Sequence, residues 1–367
     1  MGNKVILTAD DYGICNRIDN GIIKAVKVGR ITAVSAVVTH ETSAERIRRL
    51  LALQKEEAQK GNHFGIGLHV SITSGTPLYK VRGKRSSLAD PKKSQHLFRD
   101  ADFYEFNEVE SHHLREEISA QMDALAQIIG EENIDHITNH EGLVYFDKRF
   151  FNEYSLVAAA REVPMRSPMT WYRKFKKVGD VPDFDDNPIG NPIMRLGLSN
   201  GAWRKLAQMS YGNVLKRMNI CEELGISYPD VLCEYIYGQC KEIEQGEKVI
   251  DHALNKFHLS DNRNNLELAD RLTMTNAKKS DYHLLNERYQ RQINRKEFVM
   301  ELMFHLADDG DNVKELEGLE NHGKEGPHGV NTEYYSIRDN ELKVLTEMDL
   351  PLYADSNQID YVPFKSI

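Results

Sequence analysis

Residues 4–13 of the chain read KVILTADDYG, so two carboxylates follow directly on an apolar run. The apolar run predicts a buried β-strand, and Gly13 permits a tight turn into the helix predicted after it. Asp10 and Asp11 are poorly placed for packing, and although a helix N-cap would explain one of them, a cap needs only one acid. We therefore expect the end of this first strand to carry part of a functional site.

Short apolar runs alternate with longer amphipathic ones along much of the chain. Such alternation is typical of β/α repetition around a mainly parallel sheet, so the expected fold class is α/β. Apolar residues at four-residue spacing predict a helix after the first strand and another over residues 109–130. The predicted strands cover residues 4–8, 33–38, 64–70, 135–139, 163–166, 231–237 and 298–304.

Two histidines stand where predicted strands end. His69 closes the run IGLH, and His140 follows the strand at residues 135–139. Because the carboxyl ends of parallel strands meet on one face, these histidines should converge with the two aspartates. One carboxylate and two imidazoles form a three-ligand site with room for water, as a catalytic divalent metal requires. Taken singly, either histidine is better explained as a hydrogen-bonded core or surface residue.

Arg166 and His305 end two later predicted strands. A buried arginine can pair with an acid and orient it, and a histidine opposite a metal can act as a general acid. A structural ion pair explains Arg166 equally well.

The sequence has no P-loop, Gly-x-Ser-x-Gly or His-Glu-x-x-His motif, which disfavours nucleotide-binding, serine-hydrolase and zincin functions.

Composition and charge exclude several classes of protein. The chain has 47 Lys and Arg against 56 Asp and Glu, and its net charge of −9 would repel nucleic acid. Four cysteines without a Cys-x-x-Cys pair suit a reducing compartment, and no stretch approaches the ~18 apolar residues of a membrane span. The first residues are charged where a signal peptide needs an apolar core. We expect a cytoplasmic protein with no membrane partner, and a homodimer on general frequency alone.

The length of 367 residues would suit two domains. However, the ionisable strand ends extend from Asp10 to His305, so we expect one elaborated domain over residues 1–367. The excess length falls in three expected insertions, at about residues 73–107, 176–201 and 259–295. The first is polar and basic, the second is rich in Gly, Pro, Asp and Asn, and the third is a charged segment predicted to form a helical hairpin.

Two segments resemble a known family. TADDYG at residues 8–13 and GLHVSITSGTPL at residues 67–78 are similar to motifs of the YdjC-like carbohydrate deacetylases. The order of further matches agrees: EISAQ at 117–121, HITNH at 136–140, RSP at 166–168, ELMFH at 301–305, and Arg338 with Glu341-Leu342. The resemblance spans most of the chain and leaves the middle insertions outside.

This resemblance implies an irregular TIM-like (β/α) barrel of about seven strands with helical and loop insertions. It implies one divalent metal ion, Mg²⁺ or Zn²⁺, bound by Asp11, His69 and His140. Asp10 would then be the general base, Arg166 its partner, and His305 the general acid. The implied reaction is removal of the acetyl group from an N-acetylated amino sugar or short oligosaccharide by metal-activated water.

The chain departs from the family pattern at three places. Thr138 stands where the family usually has Asp, residues 141–144 (EGLV) replace further histidines, and Leu306-Ala307 replace Pro-Gly. The three implied ligands are retained, so these departures affect the contacts around the metal more than metal binding itself. Such contacts tune affinity and orientation, so they bear on activity and on the choice of sugar.

Two other functions remain open. The same Asp-His-His site could activate water against another bond, such as a sugar phosphoester. The basic residues after Thr73 would attract such a substrate; they are Lys80, Arg82, Lys84 and Arg85. Alternatively, the altered residues Thr138 and Leu306 suit a non-catalytic carbohydrate-binding barrel.

Overall fold

The computed structural model describes residues 3–82, 84–93, 97–99, 106–168, 170–171, 174–178, 181–185, 211–233, 243–256, 298–308 and 332–367. The third predicted insertion, at 259–295, lies outside the described residues, as do most of the second and the later part of the predicted strand at 231–237.

Strands and helices alternate through most of the described chain. The described strands are β1 (Asn3–Tyr12), β2 (Ala33–Ala36), β3 (Gly65–Val70), β4 (Ile134–Asn139), β5 (Thr170–Trp171), β6 (Lys174–Val178), β7 (Val181–Asp185), β8 (Val231–Cys233), β9 (Val299–Phe304) and β10 (Ile359–Tyr361). The described α-helices are α1 (Asn16–Lys27), α2 (Ser43–Gln59), α3 (Ser111–Ile129), α4 (Lys148–Ala160), α5 (Tyr211–Glu223), α6 (Ile243–Lys256), α7 (Thr332–Glu347) and α8 (Leu350–Asn357).

The main sheet is parallel, in the order β4-β3-β2-β1-β9-β8-β5. β10 pairs in parallel with the first residues of β1, while β2 pairs with its later residues. All the carboxyl ends of these strands therefore lie along one edge of the sheet. The α/β class with a parallel sheet, predicted from the alternating pattern, is confirmed.

The two faces of this sheet are packed differently. Alternate residues such as Leu7 and Leu302 join the main hydrophobic core with the buried stripe of α1, including Ile22. On the opposite face, which we call the inner face, Ile6 packs in a small separate cluster with Phe364. Helices thus cover one face, and the inner face is left for polar groups. None of the helices in the described ranges is long and apolar enough to cross a bilayer.

Two glycines of β3 make room for polar side chains on the inner face. A Cβ atom on Gly65 would lie 2.1 Å from Cγ of Asp135, and one on Gly67 would lie 2.4 Å from Cδ2 of His136. Ser35 Oγ lies 3.0 Å from His136 Nε2, and Asp135 Oδ2 lies 2.9 Å from His136 Nδ1. At this part of the inner face, buried polar side chains linked by hydrogen bonds take the place of an aliphatic layer.

The same linked polar side chains, Asp135 and His136, also contact residues 364–365, which follow β10. The backbone N–H groups of Phe364 and Lys365 donate to Asp135 at 3.2 and 3.1 Å. The Phe364 ring stacks on the His136 imidazole with 4.4 Å between centroids. Residues 364–366 thereby cover the amino-terminal end of the inner face, opposite the edge where the strands end.

One predicted strand, at residues 163–166, forms only an isolated parallel bridge between Met165 and Ile137. Pro164 has no N–H to extend a ladder, although its carbonyl accepts from Ile137 N at 2.9 Å. On its other side, Met165 N donates to Ser227 O at 3.0 Å. The segment thus lies between β4 and the residues that lead into β8, without becoming a regular strand.

The predicted insertions are only partly described. In the described part of the predicted insertion at 73–107, the regular structure consists of an isolated bridge between Ala89 and Phe98 and the start of a 3-10 helix (Phe106–Glu108). The rest is consistent with a long loop. The loop predicted at 176–201 is wrong at residues 176–178 and 181–185, because β6 and β7 pair as antiparallel strands there. The short strands β5 and β10 were not predicted.

Replacing Gly67 with alanine tests the packing of the inner face. The added methyl would press on the fixed His136 ring, so we expect Gly67→Ala to lower the free energy of unfolding by about 1–3 kcal/mol. Urea denaturation measures this loss. In a double-mutant cycle with His136→Ser the cost of Gly67→Ala should shrink; an equal cost in both backgrounds would show that the ring is not the cause.

Candidate metal centre

Asp10 and Asp11 lie at the carboxyl end of β1, and both are buried. Neighbouring residues of a regular strand point to opposite faces, yet both carboxylates approach His69, at 3.9 Å from its Nδ1 and 3.3 Å from its Nε2 respectively. The pairing of β1 with β2 shifts register here, and Asp11 has a φ of 74°. This left-handed backbone, uncommon outside glycine, turns Asp11 toward the same site as Asp10.

The three predicted metal ligands are brought together. Asp11 Oδ1 lies 2.8 Å from Nδ1 of His140 and 3.3 Å from Nε2 of His69. The two imidazoles meet edge to face with 5.4 Å between centroids. One ligand atom from each of the three residues lies within 4.8 Å of the others. Glu141, directly after His140, has a φ of 55°, so a kinked backbone also supports the second histidine.

The site favours positive charge between Asp11 and His140. Burial opposes protonation of His140, but the carboxylate of Asp11 outweighs it and raises the pKa of His140 to about 9. Burial would likewise raise the pKa of Asp11, but His140 and Arg338 outweigh it and hold that pKa well below its usual range. Asp11 and His140 thus stabilise each other's charged forms at the position where the ligand atoms converge.

Arg166 binds Asp10 through both carboxylate oxygens, with Nη1 donating at 2.7 Å and Nη2 at 3.0 Å. Its Nε and Nη2 also donate to one oxygen of Glu301, at 2.9 and 2.7 Å. Burial would raise the pKa of Asp10, but the Arg166 guanidinium outweighs it and holds that pKa well below its usual range. The predicted partnership of Arg166 with Asp10 is therefore present, and Asp10 is an ionised carboxylate.

Helix α7 supplies two contacts that sequence analysis did not assign to the site. Arg338 Nη2 donates to Asp11 Oδ2 at 2.8 Å, and Glu341 accepts from the backbone N–H of His305 at 2.8 Å. Arg338 and Glu341 lie three residues apart, so they share one face of the helix. Both are buried. The sequence analysis matched Arg338 and Glu341-Leu342 to a family motif, but that match does not say which residues they contact.

His305 follows β9 at the same edge of the sheet. β1 and β9 pair in parallel up to Ala9 and Phe304, and Asp10 and His305 are the residues that directly follow this last pair. His305 is half-buried and is one of the neighbours that, with Arg166 and His69, lower the pKa of Asp10. All six residues predicted from strand ends therefore lie at one edge of the sheet, and five of them are joined by direct contacts.

Helix α3 shapes the loop after His69. Glu117 accepts from the backbone N–H groups of Leu78 and Tyr79 at 3.1 and 2.8 Å. Gln121 donates to Ser71 O at 2.7 Å and accepts from Ser71 N at 3.1 Å. Hydrogen bonds from the EISAQ segment thus fix the backbone at both ends of residues 71–79, the loop that follows His69.

The residues present suit a divalent cation. One carboxylate and two imidazoles are ligands that Zn²⁺ and related ions accept. Among the described residues, the buried charges in direct contact at this site are three carboxylates (Asp10, Asp11 and Glu301) against two guanidinium groups (Arg166 and Arg338). A histidine must be neutral to bind a metal, so once His140 gives up its proton this set carries one excess negative charge, which a bound cation would offset.

A second group with metal-ligating side chains lies at the start of α3, formed by Glu110, His112 and His113. Glu110 and His112 are exposed, and Ser87 N donates to His113 Nδ1 at 3.2 Å. The amino-terminal end of a helix carries partial positive charge, which disfavours a cation.

In the basic loop after Thr73, Arg85 donates to the backbone carbonyls of Asp90 and Lys93, so its guanidinium stabilises the loop itself.

The raised pKa of His140 gives a pH test on metal-depleted protein. A folded-state pKa above the unfolded value stabilises the fold fully below about pH 6.5, and this stabilisation is lost as the pH rises toward 9. We expect the free energy of unfolding, from urea denaturation, to fall across this window. His140→Gln should remove this fall, while His63→Gln, at an exposed histidine, should keep it. A flat profile for the parent protein would contradict the assignment.

Comparison with known proteins gives consistent matches. A family model described as YdjC-like protein matches residues 4–354. The chain is 30% identical over 144 residues to a carbohydrate deacetylase of Mus musculus, covering 38% of this chain and 42% of that protein. It is 28% identical over 166 residues to a chitooligosaccharide deacetylase of Proteus mirabilis, covering 45% and 59% respectively. The matched regions thus span about half the length of these relatives.

A solved structure of a proposed cellobiose-phosphate cleavage protein from Enterococcus faecalis V583 has a similar fold. The TM-score is 0.58 at 15% sequence identity, with 100% of this chain and 99% of that chain covered. At this identity the likeness concerns the fold alone. The family match covers nearly the whole chain, and the chain belongs to the YdjC-like protein family.

Proposed function

We propose that this protein is a metal-dependent carbohydrate deacetylase, with the sheet continued into a TIM-like barrel of about seven strands. Its substrate would be an N-acetylated amino sugar or a short oligosaccharide of such sugars. The observation that carries the proposal is the convergence of Asp11, His69 and His140 beside an ionised Asp10. The names of the relatives, carbohydrate deacetylase and chitooligosaccharide deacetylase, support the reaction class.

Asp11, His69 and His140 would hold one divalent ion, Mg²⁺ or Zn²⁺. When bound, such an ion polarises an amide carbonyl and lowers the pKa of water from ~15.7 toward ~7. Arg338 holds the second oxygen of Asp11, which leaves Oδ1 facing both imidazoles. The chain's own residues thus fix one ligand oxygen before any ion binds.

Asp10 would accept the proton of the attacking water. Arg166 holds both of its oxygens, so the carboxylate has a fixed orientation beside the metal ligand Asp11. Arg166 keeps Asp10 ionised throughout the neutral range, which is the protonation state that a general base must have before the reaction. Arg166 also donates to Glu301, so its guanidinium is paired with two carboxylates and not with Asp10 alone.

His305 would donate a proton to the departing nitrogen. An amine anion is a very poor leaving group, so the C–N bond breaks readily only if the nitrogen is protonated as it leaves. The contact of Glu341 with the backbone of His305 fixes this residue at the edge of the sheet. The water oxygen bonds to the acetyl carbon as one water proton passes to Asp10, and the C–N bond breaks as His305 gives its proton to the nitrogen. The products are acetic acid, which then ionises, and the free amino sugar. Return of the proton from Asp10 to His305 restores both residues.

Replacing Asp10 with asparagine separates catalysis from metal binding. Asp10→Asn should bind zinc as the parent does but release acetate from N-acetylated chitooligosaccharides about 100- to 10,000-fold more slowly. Asp11→Asn should lose the metal as well, and Asp360→Asn, at an exposed aspartate of β10, should match the parent. Acetate release by Asp10→Asn at the parent rate would rule out its role as base. If the protein releases phosphate from phosphorylated sugars but no acetate from N-acetylated ones, the result would favour a sugar phosphoester hydrolase instead.

A change at His305 should depend on the leaving group. His305→Gln removes the proton donor, so we expect a loss of about 100-fold or more on amide substrates. Hydrolysis of an aryl acetate should suffer much less, because a phenolate leaves without protonation. Steady-state kcat on the two substrates is the measurement. Equal losses on both would show that His305 does not act as the acid.

A further inference from the structure

We propose that Thr138 is a positioning residue that holds His69 in the tautomer whose Nε2 lone pair faces Asp11. The proposal rests on the metal site proposed above and extends it to a residue that binds neither metal nor substrate. The observation behind it is a contact of 2.7 Å between Thr138 Oγ1 and His69 Nδ1.

The second contact of the hydroxyl favours one direction for this hydrogen bond. Thr138 Oγ1 also lies 3.4 Å from the carbonyl oxygen of Leu68, which can only accept. A hydroxyl has one hydrogen, so when that hydrogen is directed at the carbonyl, the oxygen accepts the Nδ1–H of His69. The Nε2 of His69 then carries a lone pair, and it is this nitrogen that lies 3.3 Å from Asp11 Oδ1.

The sheet fixes this arrangement in place. His69 of β3 and Thr138 of β4 are register partners on adjacent parallel strands. Both side chains are buried, so water offers little alternative partner for Nδ1. Removing the hydroxyl would leave a buried N–H without an acceptor, which disfavours the tautomer needed for metal binding.

The two histidines of the site differ in this respect. His140 presents its Nδ1 to Asp11, at 2.8 Å, whereas His69 presents its Nε2. A ring that binds through Nε2 must place its Nδ1–H inside the protein, and Thr138 supplies the acceptor. A hydroxyl supplies it without adding charge to a set that already holds an excess carboxylate.

Zinc affinity of the metal-depleted protein, by competition with a chromogenic chelator, tests the proposal. Thr138→Val keeps the shape but loses the hydroxyl, and we expect zinc binding about 10- to 100-fold weaker. Thr138→Ser restores the hydroxyl and should bind zinc within about threefold of the parent. The matched control is Thr8→Val, since Thr8 is equally buried and its hydroxyl has no partner among the described residues.

A spectroscopic readout distinguishes orientation from general loss of structure. In the zinc-loaded protein, the Nδ1–H of His69 should give a low-field, slowly exchanging proton resonance on a ¹⁵N-labelled imidazole. It should persist in Thr138→Ser and disappear in Thr138→Val and in the assignment variant His69→Gln. If Thr138→Val does not fold, absence of this resonance from the parent and from Thr138→Ser overturns the proposal by itself.

The outcomes separate this inference from the proposed function. Failure of the parent to bind zinc, or binding that survives Asp11→Asn, would contradict the metal site itself. Parent-like zinc affinity in Thr138→Val would leave the metal site intact and overturn the role of Thr138. Equal weakening in Thr8→Val and Thr138→Val would show a general packing effect and would also overturn it.

Discussion

The guanidinium of Arg166 makes the contact on which the candidate site depends. It joins Asp10 of β1 to Glu301 of β9 across neighbouring strands, with both acids and the arginine buried. Removing one partner of such a group leaves an uncompensated buried charge and costs about 3–5 kcal/mol. Because Arg166 occupies both oxygens of Asp10, the adjacent Asp11 is the carboxylate left to face the histidines.

The inner face of the sheet explains how so many charges can meet there. A closed TIM barrel fills its interior with layers of bulky branched residues. Here the side chains on that face are largely polar, and small residues of β3 make the space for them. The buried polar residues of this face include Thr8, Asp10, Ser35, His69, Asp135, His136, Thr138 and Glu301. The hydrophobic free energy of folding therefore comes mainly from the helix-covered face.

The strand ends could be predicted from the sequence because a charged residue after an apolar run is a local signal. Asp10, Asp11, His69 and His140 all stand at such positions. Because the strands are parallel, their carboxyl ends lie at one edge of the sheet, which brings these residues together. Arg338 could not be found this way, because its contact with Asp11 spans 327 positions and depends on how α7 packs. Glu301 begins the ELMFH match but lies within an apolar strand, and only the structure shows that it contacts Arg166. The segment around Met165 failed as a strand because Pro164 cannot donate to a ladder.

The central claim is that Asp11, His69 and His140 bind a single divalent ion at the carboxyl edge of the sheet. Anomalous diffraction from crystals soaked in zinc measures this most directly. The account predicts one strong peak at about 2.0–2.2 Å from Asp11 Oδ1, His69 Nε2 and a ring nitrogen of His140. A peak only at the exposed group of Glu110, His112 and His113, with Asp11 still bonded to His140, would contradict it.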